Sequence, residues 1–209
     1  SMVEILIAIY SYFYENHSNH KLPSVIISKG HAAAALYAWL AEKNIISYED
    51  LDDYRAFDSV TQSHVKPPSK MSKGIEGFFP SGSLTHGLSL ASGVAIAKKN
   101  DDENSKEPIF CILGDTELQG GQNWETAIQI SFHKLNNIIA IVDDNGLGND
   151  YATKETLDIG NIALRFESCG WNVFEVEDGH NVSDIIKAMN NKKNNAPTVI
   201  IAKTIKGKG

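Results

Sequence analysis

Cysteine is scarce in this sequence, because its 209 residues contain only Cys111 and Cys169. The two are not spaced as a metal-binding pair, and so few thiols do not form a disulfide framework. Reduced thiols are typical of the cytoplasm. The sequence also lacks an apolar run of about 18 residues, the length that spans a bilayer, and a secretory signal pattern at its start. We therefore expect a cytoplasmic protein with no membrane contact.

Basic residues are also few, since 19 Lys and Arg stand against 26 Asp and Glu and give a formal net charge of -7. Nucleic-acid binding draws its affinity from clustered Lys and Arg, so this balance argues against a nucleic-acid partner. The basic clusters at 192–193 and 203–208 are expected to be solvated surface. An anionic ligand would need a local source of attraction, such as backbone N–H groups.

Hydrophobic spacing predicts alternating strands and helices in a single domain over residues 1–209. Apolar residues recur at helical spacing in 3–16 and 31–43. Strands are predicted at 108–113, 137–142, 171–176 and 198–202, helices at 122–134, 156–168 and 182–190, and a loop at 98–107. Strands that are almost wholly apolar are buried on both faces. The predicted fold class is α/β, with a doubly wound, mostly parallel sheet flanked by helices.

Polar residues follow two of these strands, at the edge where parallel sheets bind ligands. The segments are 114–117, Gly-Asp-Thr-Glu, and 143–146, Asp-Asp-Asn-Gly. Taken separately, each could be a helix cap or a turn, because Asp, Asn and Gly are common in turns. Taken together, they place the carboxylate of Asp115 and the amide oxygen of Asn145 at neighbouring strand ends, about one βαβ unit apart.

Two hard oxygen ligands suit Mg²⁺, which takes few ligands from protein and completes its shell with phosphate oxygens and water. Gly120 and Gly121, just before the helix predicted at 122–134, allow backbone to come close to a ligand. The N-terminus of that helix favours an anion. The residues therefore indicate a site for a divalent cation and a diphosphate.

Four blocks of the sequence resemble the N-terminal part of transketolases, in the same order. GDTELQGGQNWETAIQISFHKLNNIIAIVDDNGLGND resembles the motif that binds thiamine diphosphate. The other blocks are ISKGHAAAALYAWLAEKNI, GIEGFFPSGSLTHGLSLASGVAIA and AKTIKGKG. Together they span nearly the whole chain, so the sequence is identified as similar to the diphosphate-binding subunit of this family.

The resemblance implies roles for particular residues. The metal ligands are the side chains of Asp115 and Asn145 and the carbonyl oxygen of Leu147; Gly114 and Thr116 line the diphosphate; Gly82, Ser83 and Leu84 contact the aminopyrimidine. Leu84 could instead be ordinary core. The cofactors implied are thiamine diphosphate and Mg²⁺, or Ca²⁺ or Mn²⁺ in its place.

Three histidines and a glutamate complete the implied site. His31, His64 and His86 match positions that face the diphosphate or the sugar, where an imidazole can donate hydrogen bonds and move protons near neutral pH. His64 could equally be a surface loop residue. Glu125 matches a family carboxylate on the helix after the motif, and alternatively it is an ordinary residue of the helix surface.

The sequence departs from the family pattern at two positions near Asp115. Thr116 replaces a Gly, and a backbone with positive φ there would strain a β-branched residue. Gly120 replaces a Glu that lies near the dimer interface in the family, and Glu117 or Glu125 could take its place.

The resemblance also implies a partner, because the sequence contains no pyrimidine-binding domain. We expect a split transketolase in which a dimer of this chain joins two C-terminal subunits in a heterotetramer that acts on sugars or sugar phosphates and is inactive without the partner. The alternatives are the α-subunit of a 2-oxoacid dehydrogenase or decarboxylase, and a catalytically silent binding protein.

Overall fold

The computed structural model contains one five-stranded sheet in which every strand pairing is parallel, in the order β1-β2-β3-β5-β4. The strands are β1 Ser24–Ile27, β2 Ile109–Gly114, β3 Ile138–Asp144, β4 Asn172–Val176 and β5 Thr198–Lys203. The structure describes residues 2–17, 22–67, 78–80, 82–102, 105–193 and 195–208. The predicted α/β class with a parallel sheet is confirmed.

Helices cover both faces of this sheet. They are α1 Met2–Asn16, α2 Ala33–Glu42, α3 Glu49–Asp52, α4 His86–Asp101, α5 Gly121–Phe132, α6 Thr153–Thr156, α7 Ile162–Ser168 and α8 Val182–Asn190. Short 3₁₀ turns at Gly30–Ala32 and Thr116–Gln119 precede α2 and α5. Within the described ranges, no helix combines the length and the apolar character needed to cross a membrane.

Alternate residues of each central strand pack into two separate cores. In β3, Ile139 and Ile141 pack with α1, α2 and α8, whereas Ile138, Ala140 and Val142 pack with α4, α5 and α7. Successive side chains of a strand point to opposite faces, so a strand between two helical layers must be apolar at every position. This is why the sequence runs of β2, β3 and β5 are nearly free of polar residues.

The helix predicted at 156–168 is wrong in its first half. The chain forms α6 only to Thr156, and α7 begins at Ile162. Leu157 has an extended backbone and Gly160 has a positive φ of 73°, so neither residue continues a helix. Asn161 then caps α7, because its side-chain oxygen accepts a hydrogen bond from the N–H of Leu164 at 3.0 Å.

Two elements near the site were not predicted from the periodicity. β1 has only four residues, which is too short for a pattern to separate it from a buried loop. α4 is rich in small residues, and it continues to Asp101, so the loop predicted at 98–107 begins later than expected. The helix predicted at 31–43 begins as a 3₁₀ turn and becomes α-helical at Ala33.

Candidate functional site

The carboxyl ends of four parallel strands meet at one edge of the sheet. The register pairs Gly114 with Asp143 and Asp144 with Lys203, so β2, β3 and β5 end level with one another. β1 ends beside β2, where Ile27 pairs with Ile112. The residues that follow these strands include Lys29, Asp115, Asn145 and Thr204.

Asp115 is only 3% exposed and joins the loops after β2 and β3. Its Oδ2 accepts hydrogen bonds from the N–H of Gly146 at 2.9 Å and from the hydroxyl of Thr153 at 2.8 Å. In the part of the chain that the structure describes, both hydrogen bonds to this carboxylate go to Oδ2. Oδ1 therefore keeps its lone pairs for a cation.

The loop after β3 presents backbone as well as side-chain oxygen. The Oδ1 of Asn145 accepts the N–H of Leu147 at 3.1 Å and fixes the turn. Leu147 lies opposite Ala152 in an isolated antiparallel bridge. The flanking hydrogen bonds, both 2.9 Å, run from Thr153 to Gly146 and from Gly148 to Tyr151. Leu147 is thus in the non-hydrogen-bonded position, so its own carbonyl is left for another partner.

These oxygen ligands fit a metal ion that takes its remaining ligands from a phosphorylated molecule. Among the described residues, no group of three or more His, Cys, Asp and Glu side chains could hold a metal ion. One carboxylate, one amide oxygen and one backbone carbonyl supply half of an octahedral shell, and a diphosphate with water can supply the rest. The assignment of Asp115, Asn145 and Leu147 as metal ligands stays a prediction.

A buried ion pair lies beneath this loop. The Nζ of Lys29 is 2.5 Å from Oδ2 of Asp143, and the side chains are 9% and 0% exposed. Asp143 also accepts a hydrogen bond from the hydroxyl of Thr204, so the pair ties β1, β3 and β5 together. Burial, followed by the negative charge of Asp115, raises the pKa of the neighbouring Asp144.

The imidazole of His31 has a pKa below that of an ordinary histidine. Partial burial, followed by the charges of Lys29, Lys206 and His64, lowers the pKa of its imidazole. Lys206 reaches across to this edge, because its Nζ donates a hydrogen bond to the carbonyl of Gly148 at 2.6 Å. Lys206 is exposed, as expected for 203–208, and it also makes this contact with the loop after β3.

His64 lies with the other predicted residues and is half-buried. Its ring occupies the space next to Gly30, where an added Cβ would overlap it, and it also lies beside Gly82. Gly82 has a φ of 140°, a conformation that side chains with a Cβ rarely adopt. The packing of His64 therefore depends on two glycines, and it is not an isolated surface residue.

A cleft of about 310 Å³ opens between the end of β1 and the start of α4. Its lining includes Gly82, Ser83 and His86 of the predicted site, together with Ser28. Leu84 is 50% exposed, so the alternative that it is ordinary core is wrong. The structure thus gathers the predicted 82–86 segment beside the loops that carry Lys29 and Asp115.

Thr85 has an unusual backbone, with a φ of 75° at the N-cap of α4. A left-handed conformation costs a β-branched residue about 1–3 kcal/mol. The methyl group of Thr85 occupies the space where a Cβ at Gly120 would lie. A Glu at position 120 would collide with Thr85, which gives a steric reason for the glycine.

Glu117 and Glu125, the two residues considered in place of a glutamate at position 120, lie in different surroundings. Glu117 is 4% exposed and is held inside its own chain, where it accepts hydrogen bonds from the backbone of Thr85 and Gly114. Glu125 lies on the exposed side of α5. Thr116 has a negative φ and begins a 3₁₀ turn, so the backbone strain considered for that position is absent.

Several residues at this edge were not predicted from the sequence. They are Lys29, Thr85, Asp143, Thr153 and Lys206, while Glu117 had been considered only in place of a glutamate at position 120. A signal existed for Lys29, inside the Ser-Lys-Gly-His segment, and for Asp143, inside a doubled Asp after a buried strand. Nothing local marked Thr153, which lies 38 positions from the Asp115 carboxylate that it binds.

The parallel sheet with helices on both faces places this chain in the parallel α/β class, whose ligands bind at the carboxyl ends of the strands. The family model for "Transketolase, thiamine diphosphate binding domain" matches residues 1–209. Human transketolase is 37% identical over 184 residues, 88% of this chain and 28% of that protein. One of the subunits of apulose-4-phosphate transketolase from Actinobacillus succinogenes is 35% identical over 214 residues, 100% of this chain and 75% of that relative. This chain belongs to the transketolase family.

The fold agrees with this membership. The crystal structure of transketolase from Campylobacter jejuni matches with a TM-score of 0.77 at 33% identity, over 87% of this chain and 29% of that one. The chain thus spans less than a third of the full-length transketolases that it matches, and three quarters of the relative from Actinobacillus.

Substituting Lys29 should destabilise the fold, because it removes the buried cation that pairs with the carboxylate of Asp143. We expect Lys29→Met to lower the free energy of unfolding by about 3–5 kcal/mol in urea titrations. The double variant Lys29→Met/Asp143→Asn should recover most of this loss. Lys187→Met, at a residue with a 72% exposed side chain, is the control and should change stability little. Equal losses in the single and double variants would contradict this account.

The imidazole of His31 should titrate below the ordinary histidine pKa of about 6.5. A lowered pKa in the folded state means that its contribution to stability is complete above about pH 6.5 and is lost as the pH falls toward the folded pKa. NMR titration of the ring measures the midpoint. Lys206→Gln should raise it by removing a nearby cation, whereas the exposed Lys187→Gln should not. A midpoint at or above 6.5 would overturn this prediction.

Proposed function

We propose that this chain is the N-terminal subunit of a split transketolase. It binds thiamine diphosphate through a divalent metal, Mg²⁺ or in its place Ca²⁺ or Mn²⁺, and works with a C-terminal subunit to move a two-carbon ketol unit between sugars. The observation that carries the proposal is the hydrogen bond from Gly146 to Asp115, because it joins the two loops that a shared metal site needs. We also propose that residues 1–209 act as one diphosphate-binding domain.

The roles are proposed for residues at one edge of the sheet. Asp115 and Asn145 with the carbonyl of Leu147 hold the metal; Gly114 and Thr116 line the diphosphate; Gly82, Ser83 and Leu84 contact the aminopyrimidine; His31, His64 and His86 face the diphosphate or the sugar; Glu125 is a further carboxylate of the assembled site. Bound thiamine diphosphate supplies the chemistry of ketol transfer. The residues of this chain hold and orient it.

Local charge supports an anionic ligand. The chain is acidic overall, but Lys29, Lys206 and His31 lie close enough at this edge for their charges to affect one another. Lys29 is paired with Asp143, whereas Lys206 is an exposed cation that can attract a phosphate group to this edge. A sugar phosphate is therefore the proposed substrate, and the name of the Actinobacillus relative, which specifies an apulose-4-phosphate transketolase, supports this class.

The name of that relative also describes it as one subunit of its enzyme, which supports a separate partner. We propose that a dimer of this chain binds two C-terminal subunits in a heterotetramer, that each partner supplies the pyrimidine-binding domain with its activating Glu, and that this chain is inactive alone. A cytoplasmic location is proposed on the free thiols of Cys111 and Cys169. Membership of the transketolase family disfavours the 2-oxoacid dehydrogenase alternative.

Thiamine diphosphate with Mg²⁺ should stabilise the chain against heat. At a cofactor concentration about 100 times its dissociation constant the gain is about 2.7 kcal/mol, or a rise in Tm of about 5–10 °C for a domain of this size. Asp115→Ala should abolish the rise, and so should Asp115→Asn, which keeps the shape and the hydrogen bonds. Asp52→Ala, at an exposed position of α3, is the control. No rise in the wild type, even with the C-terminal partner present, would refute cofactor binding.

The reconstituted pair of subunits should transfer a ketol unit from a ketose phosphate donor to an aldose phosphate acceptor, while neither of the two should be active by itself. Product formation is measured by a coupled assay that is saturated with cofactor. A pair that binds the cofactor without making product would instead identify the chain as a catalytically silent binding protein.

A further inference from the structure

Glu117 is a buried carboxylate that accepts hydrogen bonds from several chain segments. Its Oε1 accepts hydrogen bonds from the hydroxyl of Ser28 and, at 2.6 Å, from the N–H of Thr85. Its Oε2 accepts the N–H of Gly114 at 3.1 Å. The hydroxyl of Ser28 in turn accepts the N–H of Gly87 at 3.1 Å. One carboxylate thus joins the ends of β1 and β2 to the segment that enters α4.

Each of these segments carries part of the proposed site. Ser28 directly precedes Lys29, and Gly114 directly precedes Asp115. Thr85 lies in segment 82–86, which lines the cleft beside Ser28. Glu117 lies beneath all of them and is 4% exposed, so it is placed to set their relative positions rather than to touch a ligand.

The conformation of segment 82–86 depends on contacts of this kind. Thr85 has a φ of 75°, which a β-branched residue adopts only when its surroundings hold it there. Its N–H is held by Glu117, and its methyl group occupies the space left by Gly120. The side-chain contact from its hydroxyl to Gln122 is long, at 3.4 Å. The hydrogen bond to Glu117 is therefore the strongest polar restraint on this strained residue.

A carboxylate is the group that this position requires. Ser28, Thr85 and Gly114 all present donors, and an ionised carboxylate accepts at both oxygens. A glutamine of the same shape would turn an N–H₂ group toward at least one of these donors. The glutamine oxygen can keep the side that accepts from Ser28 and Thr85, so Glu117→Gln chiefly loses the hydrogen bond from Gly114, whereas Glu117→Leu loses all three.

We propose that Glu117 is a positioning residue that holds segment 82–86 in register with the loops of Lys29 and Asp115. The effect of this positioning role on cofactor binding rests on the proposed function, because that function assigns the aminopyrimidine to segment 82–86 and the diphosphate to the loop of Asp115. The held geometry itself is independent of any ligand.

Hydrogen exchange of the full chain without cofactor tests the held geometry directly. In Glu117→Leu, amides of residues 82–87 should exchange about tenfold faster or more, as expected when a buried hydrogen bond is lost, whereas Glu117→Gln should leave them closer to the wild type. Peptides of β3 should keep their wild-type rates. Glu167→Gln, on the exposed side of α7, should match the wild type throughout. Unchanged exchange at 82–87, or faster exchange across the whole sheet, would overturn the positioning role.

Binding of two probes then measures the consequence. Mg²⁺ with inorganic diphosphate reports on the loop of Asp115 and the histidines proposed to face the diphosphate, whereas Mg²⁺ with thiamine diphosphate also requires the aminopyrimidine contacts of Gly82, Ser83 and Leu84. Glu117→Leu should weaken thiamine diphosphate about tenfold more than it weakens inorganic diphosphate. Parallel losses for both probes would mean a purely structural role. If the wild type binds neither probe, the proposed function fails, while the exchange result still decides the role of Glu117.

Discussion

The parallel direction of all five strands is the constraint on which the rest of this structure depends. Each parallel strand needs a crossover before the next, so all carboxyl ends lie at the same edge. Because helices cover both faces of the sheet, that edge is where loops from β1, β2, β3 and β5 can meet a ligand. Residues as far apart in sequence as Lys29 and Thr204 become neighbours through Asp143.

The buried ion pair at this edge positions the strand ends more than it stabilises the fold. The desolvation of Lys29 and Asp143 on burial offsets much of the free energy that their mutual attraction contributes. The pair nevertheless fixes β1 against β3, and the hydroxyl of Thr204 adds β5. An acidic chain in this way holds a cation beside His31, where Lys206 brings another. Lys206 thus adds positive charge at an edge that also holds the carboxylates of Asp115 and Asp144.

The two departures from the family pattern have different physical meanings. Thr116 is accommodated without strain, because its backbone has a negative φ and its hydroxyl is 2.7 Å from that of Thr153. Gly120 is matched to Thr85, whose methyl group fills the space that a side chain at 120 would need. The first is a tolerated substitution, and the second is a packing arrangement in which one residue excludes the other.

Local sequence determined much of this protein. The continuous apolar runs of β2, β3 and β5 and the helical spacing of α1, α5 and α8 predicted those elements, because burial on one or two faces imposes a readable period. Asp115 and Asn145 were predictable as a pair, since both follow such strands within one βαβ unit. Four-residue β1 and the cap that delays α7 carry too little periodic signal to be predicted in the same way.

Tertiary structure alone decided the contacts between distant segments. Lys29 and Asp143 are 114 positions apart, and Ser28 and Glu117 are 89 apart. Which side chains meet over such distances depends on strand order and register, and local composition does not encode either. The metal ligands proposed for this chain could therefore be read from a motif, whereas the buried network that holds their loops in place depended on how the strands are arranged in the sheet.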